Sequence, residues 1–127
     1  MLPESGPQSA QPDVVDVTTA NGVVTGQIVA ATVEEHNAAT VLEAVREAID
    51  QIGGELTHVV LDLGSVTFVN SSGLSVFIEI RTLADEHGAA TVIYRVTEEV
   101  DRLFKMLRID RLYTFVDSAE ALSELIP

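Results

Sequence analysis

Apolar and polar positions alternate at the start of the chain and then settle into helical spacing. Asp13 to Thr19 (DVVDVTT) predicts a strand, Ala20-Asn21-Gly22 a hairpin turn, and Val23 to Ala30 a second strand. Gly26 inside that strand marks a bulge or a close backbone approach. Thr32 and Glu35 have capping-box spacing and predict a helix start. Val41, Leu42, Val45, Ile49 and Ile52 follow at helical intervals, and Gly53-Gly54 closes the run. His58 to Leu63 (HVVLDL) is short and β-branched, as in a strand buried on both faces.

Leu74, Phe77, Ile78, Arg81 and Ala84 form the next helical face, ended by His87-Gly88. Ala90 to Val96 is a further strand. Val100, Leu103, Phe104 and Leu107 fall at i, i+3, i+4, i+7, one apolar stripe of a helix. Thr114-Phe115-Val116 predicts a brief strand, and Ser118 caps a last helix through Leu122, Leu125 and Ile126. The order is β-β-α-β-α-β-α-β-α. Strands alternating with helices from His58 onward predict parallel pairing with right-handed crossovers, and the opening hairpin makes the sheet mixed. The expected fold class is a single α/β domain with a mixed sheet of four to five strands and about four helices. Residues 1–12 (MLPESGPQSAQP) have the composition of a flexible tail.

Composition narrows the function. The chain has 127 residues, 46% of them hydrophobic, enough for one real core. Twenty acids against seven Lys and Arg give a net charge of −13, which disfavours phosphate backbones and anionic lipid. No nucleic-acid or membrane partner is expected. The charge is uneven: residues 1–72 carry ten acids and one base (Arg46), and residues 73–127 carry ten acids and six bases. Cysteine is absent, so thiol catalysis and cysteine metal sites are excluded. No apolar run approaches the ~20 residues of a membrane span, and no basic segment leads into an apolar stretch at the N-terminus. The expected location is the cytoplasm.

The search for chemistry leaves one motif. Glu34-Glu35-His36 and Glu98-Glu99-Asp101 lack metal-site spacing and read as solvated helix starts. No metal and no cofactor is expected, and no phosphate-binding G-x-x-x-x-G-K-[ST] loop is present. Asn70-Ser71-Ser72 matches a glycosylation sequon, which without a secretory signal reads as a chance match. Val69-Asn70-Ser71-Ser72-Gly73 lies on a strand-to-helix turn and invites comparison with a nucleophile elbow. Val69 replaces that elbow's first glycine, and only His36, His58 and His87 could serve as a base. The plain reading of the serine pair is a helix cap, with Asn70 or Ser71 at the cap and Ser72 in the first turn.

The run Val59 to Phe77, VVLDLGSVTFVNSSGLSVF, resembles the signature of STAS domains, and among them the bacterial anti-sigma-factor antagonists. That pattern is an apolar strand, D-L-[small]-x-V-x-F-[apolar], then D-S-[ST]-G-L and an apolar helix. The likeness continues through Gly88, the strand Thr91–Tyr94 and I-D-R-L-Y (Ile109–Tyr113), assigning residues 13–127 to one STAS domain. The resemblance implies a non-enzymatic switch. When unphosphorylated, such a protein binds an anti-sigma factor that is also a serine kinase and so frees a sigma factor. Phosphorylation from Mg-ATP ends the complex, and a PP2C-type phosphatase resets it. Carried onto this chain, the phosphoacceptor is Ser71, with Ser72 the fallback, and the partner-binding residues are Asn70, Ser71, Ser72, Gly73 and Leu74. The free protein is expected to be monomeric. The alternative is a STAS scaffold or accessory subunit of a stress-signalling or transport complex, without the phosphorylation switch.

The chain departs from the family pattern in two places. Asn70 stands where the family has Asp, which keeps a capping oxygen but removes a carboxylate. Gly26-Gln27-Ile28-Val29 lacks the acid of the usual G-x-[IL]-D, and the segment from there to Val41 is longer than usual. Arg102, Lys105 and Arg108, spaced three apart, read as a solvated face or as a secondary contact for an acidic partner patch.

Overall fold

The computed structural model describes residues 13–126; the expected tail at residues 1–12 lies outside them. Strands β1 (Val15–Ala20) and β2 (Val23–Ile28) form an antiparallel hairpin, closed by the pair Ala20 and Val23. Asn21 (φ 52°) and Gly22 (φ 80°) both occupy the left-handed region, which a two-residue turn matching the strand twist demands. Gly26 stays in register opposite Val17, so it is no bulge. A Cβ there would lie 3.3 Å from a Val45 methyl, so Gly26 is a point of close approach.

The expected helix start at Thr32 is corrected. Thr32–Val33 is instead a two-residue strand, β3, paired in parallel with β5 (Phe68–Val69) in a small second sheet. Val33 is fully buried, which holds the segment extended. Helix α1 (Ala38–Ile52) begins only after a turn built by Asn37, itself just 4% exposed. Asn37 Oδ1 accepts Glu34 N–H at 2.9 Å, and its Nδ2 donates to the Thr32 carbonyl at 2.9 Å. Glu34 C=O accepts the N–H groups of Asn37 and Ala38.

β4 (His58–Asp62), β6 (Ala90–Tyr94) and β7 (Thr114–Val116) complete a five-stranded sheet of order β1-β2-β4-β6-β7, parallel from β2 onward. Helices α1 and α2 (Ser71–Glu86) pack side by side on one face, against β1–β2 and β4–β6 respectively. Val17, Val24, Val59, Leu61 and Ile93 point into that layer and are fully buried with Val41, Val45, Ile49, Phe77 and Ile80. Helix α3 (Glu98–Met106) joins the same core through Phe104, whose ring lies 6.2 Å from Phe77, 5.6 Å from Tyr113 and 5.9 Å from Phe115. The expected Ser118 cap is present, its hydroxyl accepting from Ala121 N–H at 3.1 Å to open α4 (Ala119–Leu125). Leu122 of α4 and Ile126 beyond it line a recess with Thr18, Thr25 and Val60, which alternate out of phase with the core-facing positions. This helix therefore lies on the opposite face of the sheet.

At the far end of β4, Asp62 is buried and paired with Arg95, whose guanidinium reaches its two oxygens at 3.2 and 2.7 Å. Gly64 N–H adds a third bond to Asp62 at 3.1 Å. Arg95 is held at φ 60°, an unusual backbone for a side chain this long, and the fork to Asp62 fixes it there. This explains the D-L-[small] part of the sequence pattern: a Cβ at Gly64 would crowd Arg95 at 3.3 Å. Two buried hydroxyls, Thr91 Oγ1 and Tyr113 Oη, have no partner among the described residues, and burial pushes the Tyr113 phenol up to about 12.

Candidate functional site

The serine motif occupies the first turn of α2. A helix leaves its first N–H groups without intrahelical partners, and here Asn70 supplies the acceptor. Its Oδ1 takes Ser72 N–H at 3.0 Å and Gly73 N–H at 3.2 Å, with the backbone at φ −98° and ψ −171°, the extended geometry of a cap. Asn70, rather than Ser71, is therefore the cap. Its own N–H donates to the Val33 carbonyl at 3.3 Å, anchoring the turn to β3.

That assignment leaves the two hydroxyls unused. Ser71 is exposed and Ser72 half-buried, and neither side chain makes a hydrogen bond among the described residues. Gly73 and Leu74 are interior, and Leu74 is only 9% exposed. Their part is to seat the turn rather than to offer surface. A Cβ on Gly73 would sit 2.5 Å from the Val33 carbonyl oxygen and 2.7 Å from a Val69 methyl, so only glycine lets α2 start this close to the β3–β5 pair. Of the five residues expected to meet a partner, Asn70, Ser71 and Ser72 reach the surface.

The three histidines lie in different parts of the fold. His87 sits at the far end of α2, about 24 Å of helix from Ser71, and its Nδ1 bonds the Leu83 carbonyl at 3.0 Å. His58 opens β4 and its Nδ1 lies 3.0 Å from Thr57 Oγ1. His36 is exposed in the turn before α1. No hydrogen bond links any of the three to Ser71 or Ser72 among the described residues. Nor do three or more His, Asp or Glu side chains converge on a possible ion among those residues.

One carboxylate does reach the motif, and local spacing assigns it a different task. Glu35 does not complete a capping box with Thr32; it accepts a hydrogen bond from Asn70 Nδ2 across a separation of 35 residues. A hydrogen bond from its own backbone N–H, then that from Asn70, hold its carboxyl below the ordinary glutamate value, with His36 adding a smaller pull. The extra length before Val41 supplies the β3 strand and the turn that delivers this side chain.

The flank of the site is apolar. Phe68 on β5 is 51% exposed, and Met106 at the end of α3 is 68% exposed. They line a recess of about 210 Å³ with Thr67, Glu99, Arg102 and Leu103, next to the serine turn. The three basic residues divide: Arg102 lines this recess, Lys105 pairs with Asp101 at 2.9 Å within α3, and Arg108 is exposed beyond it. No helix among the described residues is long and apolar enough to cross a membrane.

Comparison with known proteins places this geometry. The STAS domain family model matches residues 15–121. A Thermotoga maritima protein described as an anti-sigma factor antagonist superposes with a TM-score of 0.73 at 19% identity, covering 87% of this chain and 92% of that one. The phosphorylated form of the Bacillus cell fate determinant SpoIIAA superposes with a TM-score of 0.69 at 14% identity, covering 88% and 99%. The murine solute carrier family 26 member A9, an anion transporter, contains the same fold within a longer chain: TM-score 0.63, 14% identity, 81% of this chain and 17% of that one. The mixed five-stranded sheet, the two central helices and the family match together establish that the chain belongs to the STAS domain family.

Proposed function

We propose that this protein is an anti-sigma factor antagonist that acts in the cytoplasm through the surface around Asn70, Ser71 and Ser72. Unphosphorylated, it binds an anti-sigma factor that doubles as a serine kinase and thereby frees a sigma factor. Phosphorylation of Ser71 releases the kinase, and a PP2C-type phosphatase restores the binding form. The protein is a substrate and a switch, with no catalysis of its own. The observation that carries this reading is that Ser71 is the exposed first residue of α2, its hydroxyl unengaged among the described residues because Asn70 already caps the helix.

The physics of that position favours a switch. A phosphate adds roughly −1.5 to −2 charge at pH 7. At a helix N-terminus the dipole offsets part of it, by about 0.3–1 kcal/mol, so the fold tolerates the modification. An interface pressed onto the same spot does not, because like-charge contact costs several kcal/mol and each ~1.4 kcal/mol is tenfold in affinity. The exposed Phe68 and Met106 beside it supply the apolar area that binding needs, with Arg102 at its rim.

The test is intact mass after incubation with the host's anti-sigma kinases and Mg-ATP, for wild type and Ser71→Ala, with complex formation followed in parallel. One phosphate on the wild type, none on Ser71→Ala and release of the kinase are expected. Phosphate on Ser71→Ala would move the acceptor to Ser72. Tight kinase binding without any phosphate would make this an unswitched antagonist. Neither binding nor phosphate would favour a scaffold or accessory role, the use suggested by the fold's presence in an anion transporter.

A further inference from the structure

Asn70 is held at both ends of its side chain. A primary amide has an acceptor oxygen and a donor nitrogen of nearly equal shape, and half a turn about its last bond exchanges them. The N–H groups of Ser72 and Gly73 require the oxygen on the helix side, and the Glu35 carboxylate requires the nitrogen on the other. The two demands agree on one orientation. Glu35 is itself held in place, because buried Asn37 closes the turn that carries it and the β3–β5 ladder fastens that turn to the serine motif.

We propose that Glu35 is the positioning residue of the Ser71 switch: it fixes the Asn70 amide with its oxygen on the helix, and it brings to the motif the carboxylate that the family pattern carries immediately before the serine. The inference rests on the reading of Ser71 as the acceptor. Asparagine at position 70 is then the residue that a neighbouring carboxylate requires. An aspartate there would set two carboxylates against each other, where one of them must take a proton or turn away. The acid belongs at position 35 or at position 70, and the two positions form one unit.

Wild type, Glu35→Gln, Asn70→Asp and the exchanged pair E35Q/N70D separate this from a merely structural contact. In the exchanged pair the amide at position 35 can donate to the carboxylate at position 70, which restores one donor, one carboxylate and the cap. With the host's anti-sigma kinase and Mg-ATP, Asn70→Asp is expected to lower kcat/KM for Ser71 phosphorylation about tenfold, the size of a direct pairwise coupling. The exchanged pair is expected to return to within about threefold of wild type, a gap of less than about 1 kcal/mol. An Asn70→Asp protein as good as wild type, or an exchanged pair no better than Asn70→Asp alone, would overturn the proposal. A second readout needs no kinase: in wild type, the Asn70 side-chain amide protons should shift in NMR spectra as Glu35 titrates, and amide resonances indifferent to that titration would overturn it equally. If no host kinase phosphorylates the wild type, the switch reading fails by itself, and the NMR titration still decides whether Glu35 holds Asn70.

Discussion

The two central helices both follow an asparagine, and the two asparagines do opposite work. Asn37, before α1, is buried and turns its side chain backward onto Thr32 and Glu34, giving α1 no side-chain cap. Asn70, before α2, is half exposed and turns its oxygen forward onto the helix while its nitrogen holds Glu35. One builds a turn; the other builds a surface. The difference follows from what lies behind each residue. Fully buried Val33 leaves the chain before Asn37 with backbone groups that must be satisfied, whereas Asn70 has its backbone N–H already taken by Val33 C=O and its side chain free for the helix.

Substitutions can break this comparison, and their expected effects on stability fall in order. Gly73→Ala touches both regions, since its Cβ would strike the Val33 carbonyl, and is expected to cost about 2–3 kcal/mol in urea unfolding. A cost below about 1 kcal/mol would mean that α2 can start elsewhere. Asn37→Ala removes a buried side chain and leaves the part-buried Glu34 N–H and Thr32 carbonyl without their partner, and is expected to cost about 2 kcal/mol. Asn70→Ala removes a helix cap at a half-exposed position, and about 1 kcal/mol is expected. Should Asn70→Ala prove the more damaging of the two, the division between turn and surface is wrong. Ser71→Asp is expected to change stability by no more than about 0.5 kcal/mol, because an exposed acid at a helix start is tolerated. In a pull-down or calorimetric titration with the proposed anti-sigma partner, the same substitution is expected to weaken binding at least about a hundredfold.

The smallest effect sharpens the contrast by pH. Glu35 has its carboxyl lowered in the fold, so its contribution is present above the unfolded glutamate value and disappears as pH falls through the lower folded value. The difference in melting temperature between wild type and Glu35→Ala is therefore expected at neutral pH and to vanish in acid. The corresponding difference for Asn37→Ala should persist through the same acid window, because its partners are backbone groups that do not titrate. A pH-independent Glu35→Ala difference would remove Glu35 from the cap.

What the sequence made legible was what repeats or punctuates. The stripe of α1, the Asn21-Gly22 turn, the Ser118 cap and the succession of the five main strands along the chain all follow from local spacing and turn chemistry, whereas the α3 stripe holds at Val100 and Phe104 but not at Leu107, which is 49% exposed. The serine motif was legible because a whole run of residues resembles one family. β3 and β5 were not, since two residues carry no period, and the Thr32–Glu35 spacing gave a plausible but incorrect helix start. The pairs Glu35–Asn70 and Asp62–Arg95 were also invisible, because they join segments 35 and 33 residues apart and only the fold brings them together. Membership of the serine motif makes Leu74 look like surface, whereas its position on the α2 stripe already puts it inside.

The small β3–β5 ladder also sets how the molecule breathes. It joins two residues of each strand, while β1, β2 and β4 are paired along five residues or more. A patch held by so few backbone bonds opens at lower free energy than the sheet beside it. In native-state hydrogen exchange, the amides of Asn70 and Thr67, both bonded to the β3 segment, are expected to exchange by local opening, well ahead of those of β4. The serine turn is then expected to detach from its neighbour and re-seat while the core remains folded, so that the start of α2 and the main sheet exchange as separate units.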